Sequence, residues 1–430
     1  MSISTFFLII IITLISNIQS KSNILKFPLI QIYGPDDYNY INSLLQSDVY
    51  TTINIGTPAQ NMRIYIFQSL FMTYFAGEKS QAKIESVSFF DSTKSNTYRT
   101  NETKEFRYVH TDFIFAYNAY DTLQNIFNDF SFLLITKFEE RMVDLYPAKM
   151  GLKGSATEEE KKEFLKHNFI HQLLEKKVIS KNIYTINFDN ETNGNLIFGA
   201  YPDEYDNSYN NKDLISIPGL NNEEWSINFN TISLNGIELD SIKKGSFLIE
   251  YGLIKAPKEY VELFTKHFFQ KYIDEKICKY HITSPIHFSC NSKFNISDFK
   301  GINFTLNAYN FSFFLDSNSL FHTYKNITYF YIVFGSGNWI FGKPFFEKYQ
   351  LSFDLDKGSI LWYGKKMKNK TNLFIIFIVI FGIIILSIGG YYAYNFYIKN
   401  AKRKKRALEL DEEFTYDPTE KINTDFGNLK

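Results

Sequence analysis

The stretch "VYTTINIGTPAQNMRIYIFQSLFMTYF" occupies Val49–Phe75 and contains two runs of alternating apolar and polar residues. The runs "YTTINI" and "MRIYIF" are rich in β-branched and aromatic residues, and "IGTP" (Ile55–Pro58) between them is a turn sequence. The stretch therefore predicts two antiparallel strands. The second strand leads directly into Gln68.

Comparable alternating segments recur to about residue 364, among them "NIYTINF", "NLIFGA", "INFNTISL" and "LSFDLD". They predict a mostly β chain. The strand and turn near Gln68 have a weak counterpart near Glu250, which suggests two similar lobes. Two helices are also predicted, one over residues 155–180 that opens with Ser155 and Glu158 as a capping box, and one over Pro257–Phe269.

His167 and His171 lie four residues apart in the first predicted helix. They are either a metal-binding pair or part of a solvated helix face. A solvated face is preferred, because no third ligand is visible nearby. We expect no metal site and no cofactor.

The charges exclude one class of partner. Lys plus Arg and Asp plus Glu both total 46, so the formal net charge of the 430-residue chain is zero. A nucleic-acid-binding protein should show a basic excess on some domain. Nucleic acid is therefore not an expected partner.

The N-terminal residues 1–20 are typical of a signal peptide, with an apolar run over Phe6–Ile15 followed by small polar residues. The alternative is an uncleaved anchor, since no Lys or Arg precedes the run. Residues 21–48 then form a short prosegment-like or N-terminal extension.

The C-terminal region predicts a membrane anchor. Leu373–Tyr394 contains no charged residue, and a helix of about 22 residues spans about 33 Å, enough for a bilayer core. The basic run Lys399–Arg406 favours a cytosolic position for the C-terminal residues beyond the helix. We expect a transmembrane helix at residues 371–396, a cytosolic tail at 397–430, and a single-pass type I protein of the secretory pathway or cell surface, with its ectodomain lumenal or extracellular.

The ectodomain should carry covalent modifications of oxidising compartments. Cys278 and Cys290 are expected to form a disulfide worth about 3 kcal/mol in the chain-entropy model; the alternative is two free buried thiols. Six Asn-x-Ser/Thr sequons are candidate glycosylation sites: Asn101, Asn190, Asn295, Asn303, Asn310 and Asn326.

Six segments, in order, resemble the pepsin-like aspartic proteases. They are "YTTINIGTPAQNMRIYIF", "FFDSTKSNTY", "YDTL", "NFIHQLLEKKVISKNIYTINF" with "GNLIFGAYPDEY", "EEWSINFNTISLNGIEL" and "NWIFGKPFFEKYQLSFDLDKGSILW". The resemblance implies a mostly β, bilobal fold with a central cleft. It places an N-terminal β lobe at residues 49–215 and a C-terminal β lobe at 216–368.

The chain departs from this family where the chemistry should be. The family has Asp-Thr-Gly in both active-site loops, whereas this chain has Gln68-Ser69-Leu70 in the first and Glu250-Tyr251-Gly252 in the second. The reaction needs two carboxylates whose pKa values are forced apart, so that one takes a proton from water while the other polarises the peptide carbonyl. An amide does not titrate, and losing a general base lowers the rate by about 10²–10⁴-fold.

The resemblance implies three further residues of the cleft, which we expect to bind substrate. Tyr108 corresponds to the flap tyrosine, or is an ordinary strand tyrosine, while Ser69 and Gly252 belong to the two loops. The preferred interpretation is a proteolytically inactive, membrane-anchored homologue whose cleft binds a peptide or protein partner. The alternatives are an active aspartic endopeptidase with an atypical Gln/Glu site, and a structural surface glycoprotein.

Overall fold

The computed structural model describes residues 24–31, 40–45, 49–77, 89–100, 102–108, 111–138, 146–153, 157–189, 192–206, 208–209, 214–220, 225–283, 285–363 and 371–414. The chain forms two compact units, Met1–Lys365 and Lys366–Lys430. The predicted signal peptide lies outside the described residues, as do Asn101, Asn190 and Ser155.

Strands dominate the first unit, which confirms the mostly β prediction. In the described residues the strands are β1 (Leu25–Gln31), β2 (Val49–Ile55), β3 (Gln60–Phe67), β4 (Tyr74–Ala76), β5 (Glu102–Tyr108), β6 (Thr111–Leu123), β7 (Phe127–Phe138), β8 (Ala148–Gly151), β9 (Ile183–Phe188), β10 (Asn193–Phe198), β11 (Leu214–Pro218), β12 (Ser226–Leu234), β13 (Ile237–Phe247), β14 (Ile254–Pro257), β15 (Cys278–His281), β16 (His287–Cys290), β17 (Ile302–Leu306), β18 (Phe311–Leu315), β19 (Phe321–Tyr324), β20 (Ile327–Phe330), β21 (Ile332–Gly335), β22 (Trp339–Phe341), β23 (Leu351–Asp354) and β24 (Ser359–Tyr363).

The helices are short, apart from the last. In the described part of the chain they are α1 (Tyr40–Leu45), α2 (Glu158–Phe164), α3 (Phe169–Glu175), α4 (Pro202–Tyr205), α5 (Tyr260–Phe264), α6 (Gln270–Asp274), α7 (Ser317–Leu320), α8 (Lys343–Lys348) and α9 (Thr371–Phe414). Short 3₁₀ turns cover Ser92–Lys94, Leu165–His167, Ile296–Asp298 and Asn307–Tyr309, and a π-helical turn covers Thr265–Phe269.

Both predicted helices differ in detail from those observed. The capping box of the first is formed by Thr157 and Glu160. Asn168 then begins a new helix by accepting a hydrogen bond from the His171 N–H at 2.9 Å, which divides the predicted helix into α2, a 3₁₀ turn and α3. In the second, Pro257 ends strand β14 and the helix begins at Tyr260.

The strands form a 13-stranded, a seven-stranded and a four-stranded sheet within the described residues. In the first sheet β3 and β8 are parallel, β8 and β4 antiparallel, and β4 and β7 parallel. The second sheet repeats this pattern with β13 and β22, β22 and β14, and β14 and β21. The two halves of the chain therefore share one local topology. In the first half it surrounds the loop after β3, and in the second it surrounds the loop after β13.

The two halves also share strands. β23, from the C-terminal part, pairs with β9, and β11, which contains the predicted lobe boundary at residues 215 and 216, pairs with β24 in the same 13-stranded sheet. β1 lies between β10 and β2 in this sheet. Its Phe27 and Leu29 are buried in the main core, where Phe27 contacts the rings of Phe169 and Phe198.

The second unit contains helix α9, of which the side chains of residues 388–409 are described. Most of the predicted membrane span, residues 371–387, has side chains outside the described set. Among the residues whose side chains are described, no helix is long and apolar enough to cross a bilayer.

Candidate functional site

Gln68 follows β3 and is fully buried. Its side-chain oxygen accepts a hydrogen bond from the Ile249 N–H at 2.9 Å, and its Nε2 donates to the Tyr184 hydroxyl at 2.9 Å. The Tyr184 hydroxyl donates in turn to the Leu152 carbonyl at 3.1 Å, which also accepts from the Trp225 indole N–H at 3.3 Å. The amide of Gln68 is thus held by the interior of the protein on both of its polar atoms.

Glu250 lies in the turn after β13, and its side chain reaches the loop that carries Gln68. Its Oε2 accepts a hydrogen bond from the Gln68 N–H at 3.0 Å, and its Oε1 accepts from the Ser69 N–H at 2.9 Å. The residue is 8 % exposed. Both carboxyl oxygens are therefore engaged by the opposite loop.

The two loops exchange hydrogen bonds reciprocally. The Gln68 side chain accepts from the backbone beside Glu250, and the Glu250 side chain accepts from the backbone of Gln68 and Ser69. Each side chain points at the other loop's backbone, and Gln68 is shielded from solvent. This pair of loops forms a cross-link between the two halves, and we call it the Gln68–Glu250 lock.

Burial is the main influence on the ionisation of Glu250 in the lock. Burial favours the neutral carboxyl group, whereas hydrogen bonds from N–H groups favour the charged one. Burial is the larger effect and raises the pKa of Glu250 above its ordinary value of 4.5, against the hydrogen bonds from Ser69 and Gln68. Burial also raises the pKa of Tyr184 well above 10.0, so its hydroxyl remains a donor.

Two glycines let the backbone approach both loops closely. A Cβ atom on Gly151, in β8, would lie 2.5 Å from the carbonyl oxygens of Leu70 and Met72. A Cβ atom on Gly342, after β22, would lie 2.2 Å from the carbonyl oxygens of Tyr251 and Leu253. Equivalent strands therefore support the two loops in the same way.

The two loop residues predicted to bind substrate lie in different environments. Ser69 is exposed, and Gly252 is buried. The Gly252 N–H donates to the Leu45 carbonyl of α1 at 3.2 Å. Ile41 of α1 is buried in a small apolar cluster with Leu253, beside this loop. The N-terminal segment thus contacts the loop of Glu250 directly.

The third predicted substrate-binding residue, Tyr108, ends β5 opposite Thr111 of β6. Its side chain lies outside the described set, so its role as a flap residue stays a prediction.

Tyr184 is the site residue that sequence reasoning did not find. Alternation in "NIYTINF" predicts that half of this strand faces a core, but no local pattern shows that a hydroxyl there meets an amide 116 positions away. The available signal was a glutamine directly after an apolar strand, since an amide that is buried there requires partners.

Of the predicted modifications, the structure pairs Cys278 with Cys290 across β15 and β16. Among the sequons in the described residues, Asn295, Asn310 and Asn326 are exposed, and Asn303 is half-buried within β17.

The solvated-face interpretation of His167 and His171 is wrong for His167. This residue is fully buried and its Nδ1 lies 2.8 Å from the Ser131 hydroxyl. Burial, with smaller effects of Lys166 and Lys104, lowers its pKa to about 3. In the part of the chain that the structure describes, no group of three or more His, Cys, Asp or Glu side chains is arranged to hold a metal ion.

The family model "Eukaryotic aspartyl protease" matches residues 48–362, which include both loops of the lock and the strands around them. A comparison with curated proteins finds no match to the chain. Because the family model covers well over half of the 430 residues, the chain belongs to the eukaryotic aspartyl protease family.

Proposed function

We propose that this chain is a proteolytically inactive aspartic-peptidase homologue, held in the membrane by one helix, whose cleft binds a peptide or protein partner. Gln68 and Glu250 occupy the two positions that carry the catalytic aspartates in active members. The proposal rests above all on the reciprocal hydrogen bonds between these two side chains and the opposite loops.

Two properties of Gln68 and the environment of Glu250 oppose hydrolysis. Gln68 cannot accept a proton from water, since a carboxamide does not titrate in the accessible pH range. Its side-chain oxygen is also committed to the Ile249 N–H at 2.9 Å, in a fully buried position. A general base must lie within hydrogen-bond reach of the proton it abstracts, and the described partners of Glu250 are N–H groups and Ser69, none of them a second carboxylate.

Binding remains compatible with the same geometry. Ser69 is exposed beside the lock, so the surface above it is accessible to a ligand. Interactions with a bound chain do not require either carboxyl group to titrate. We therefore assign the ligand to the exposed surface at Ser69, beside the Gln68–Glu250 lock.

The membrane arrangement is part of the proposal. The uncharged run Leu373–Tyr394 lies within the single helix α9, Thr371–Phe414, and the basic run Lys399–Arg406 comes after it. We assign residues 1–20 to a signal peptide and residues 397–430 to the cytosol. The exposed sequons Asn295, Asn310 and Asn326 would then be available for glycosylation.

The test of inactivity uses the full-length chain and a peptide library from about pH 3 to about pH 7. We expect no cleavage above background. The matched variants are Glu250→Gln and the double variant Gln68→Asp/Glu250→Asp. Acid-stimulated cleavage by the unmodified chain that disappears in Glu250→Gln would refute the proposal and support the atypical endopeptidase.

The test of binding uses a fluorescent pool of randomised peptides and measures anisotropy. Ser69→Trp should weaken binding, because it places a large side chain at an exposed position beside the lock. Lys300→Trp, also at an exposed position, is the matched control and should leave binding unchanged. Equal binding by both variants would contradict a ligand site above the lock.

A structural surface glycoprotein is the second candidate. It is favoured by the lock itself, which joins the two halves by direct hydrogen bonds. A full-length chain that neither cleaves nor binds the peptide pool would support this second function.

A further inference from the structure

Two histidines are stacked at the turn end of a hairpin in the four-stranded sheet, where β15 leads into β16. His281 of β15 lies opposite His287 of β16, and the two ring centroids are 4.3 Å apart with the planes inclined by 5°. At the other end of the same strand pair, Cys278 lies opposite Cys290 and is bonded to it. The disulfide therefore joins the strands at the open end of the hairpin, and the imidazole stack lies beside the connection at its turn end.

Each ring is fixed by one further contact. The His287 Nδ1 lies 2.8 Å from the Pro285 carbonyl oxygen. Because a carbonyl can only accept, Nδ1 is the protonated nitrogen in the neutral ring. The His281 Nε2 lies 2.8 Å from the Ser289 hydroxyl. Neutral rings satisfy both contacts and can lie face to face.

Basic, polar and acidic groups surround the pair, and of these Lys279 disfavours a positive charge on His281. Lys279 precedes the pair on β15, Tyr329 of β20 lies opposite Ser289, and His322 of β19 lies opposite Tyr329 on the same face. Asp274 and Glu275, at the end of α6 against β15, are exposed.

Burial lowers the pKa of both His281 and His287 below 6.5, with additional lowering by Lys279 at His281 and by His281 at His287, and partial compensation at His287 from the Pro285 contact. Two stacked imidazolium ions would repel each other directly, since charges about 4 Å apart interact strongly at the edge of a protein.

We propose that the His281–His287 stack is an acid-sensitive contact, closed at neutral pH and separated by protonation of both rings. On acidification the turn ends of β15 and β16 move apart at these two residues, as far as the connecting residues allow, while the disulfide holds Cys278 against Cys290. Titration of the two rings is coupled, so the pair takes up its protons in two separate steps.

The strand pair that opens at the histidines is hydrogen-bonded to strand β21 beside it. The Phe334 N–H donates to the Ile286 carbonyl at 2.8 Å, next to His287. Phe334 belongs to β21, which runs parallel to β14, and β14 begins two residues after Gly252 in the loop of Glu250. Separation of the stack therefore loosens the outer strand of the seven-stranded sheet on the side of the lock.

The direction of the pH effect is set by the lowered pKa values. A histidine whose pKa is lower in the closed state than in the open one favours opening as the pH falls below its ordinary 6.5. If the closed state takes up no proton, each ring increases the ratio of open to closed molecules by at most about 30-fold at about pH 5.

Hydrogen–deuterium exchange of the full-length chain at about pH 5 and about pH 7, corrected for intrinsic exchange, tests the proposal. We expect peptides containing His281 and His287 to open several-fold more at the lower pH, within the limit above. His281→Gln/His287→Gln should remove this pH dependence, and His267→Gln, in the π-helical turn, should retain it. The same pH response in the wild type and the double variant would overturn the proposal.

A second measurement needs no variant. Selective ¹³C labelling of histidine in the wild-type chain should show, besides the low titration of His167, two imidazole titrations below the ordinary value, separated by about one pH unit or more. A single midpoint at the ordinary value for both rings would overturn the proposal as well.

Discussion

Tyr184→Phe removes one oxygen atom from the centre of the Gln68–Glu250 lock. The ring contacts remain, including the stack on Phe353 at 4.8 Å between centroids. The Leu152 carbonyl still accepts from the Trp225 indole N–H at 3.3 Å. The group left without its partner is the Gln68 Nε2, which donates to this hydroxyl at 2.9 Å.

The expected loss of stability comes from that single unsatisfied donor. Leaving a buried polar group without a partner costs about 1–3 kcal/mol, and Gln68 is fully buried. Urea denaturation of the full-length chain should show that the free energy of unfolding of its first unit falls by this amount. Tyr280→Phe is the matched control, because Tyr280 is 37 % exposed, and its effect should stay within about 0.5 kcal/mol.

A double-mutant cycle isolates the interaction. In a Gln68→Leu background the donor is absent, so Tyr184→Phe should have a much smaller effect, with a coupling energy of about 0.5–3 kcal/mol. An equal loss in both backgrounds would refute the reasoning, and so would a loss no greater than that of Tyr280→Phe.

Three further predictions concern the same unit. Because the pKa of Glu250 is raised in the folded protein, this residue stabilises the fold fully below its ordinary pKa of 4.5, and the contribution is lost as the pH rises through the raised pKa. Glu250→Gln should therefore flatten the pH dependence of the denaturation midpoint between about pH 4 and about pH 7. An unchanged slope would contradict the raised pKa. Gly342→Ala should destabilise by about 1–3 kcal/mol or more, because its Cβ would lie 2.2 Å from two carbonyl oxygens, whereas Gly335→Ala, with its nearest neighbour at 3.6 Å, should be mild in the same denaturation assay. Phe27→Ala should lower the unfolding free energy by about 3–5 kcal/mol, since Phe27 is 7 % exposed in the core, while the exposed Lys26→Ala should not; equal effects would show that β1 is not an integral strand.

The β character of the chain could be predicted because alternation with period two is local. The strands β2 and β3 follow from "YTTINI" and "MRIYIF" alone. Helix boundaries were less accessible, since Thr157 and Asn168 compete with Ser155 as helix starts and all three are good N-caps. Pro257 suits a first helical turn, yet it is paired within β14, where tertiary pairing prevails over local preference.

The candidate site could be located from the sequence but not described. The departures at positions 68 and 250 are visible in the residues themselves. That their side chains bond to each other's backbone depends on contacts 181 and 182 positions apart, which no local pattern encodes. His167 shows the same limit, because helical spacing gave it a solvated face while the fold encloses it beside Ser131.

The placement of β1 has a consequence for synthesis of the chain. Leu25–Gln31 pairs with Asn193–Phe198, so its main partner emerges from the ribosome about 10–30 s later at ordinary elongation rates. β9 must wait about as long for β23, near residue 351. Pairings of such long sequence separation form slowly, and the nascent chain should therefore depend on chaperones until almost the whole first unit has been translated.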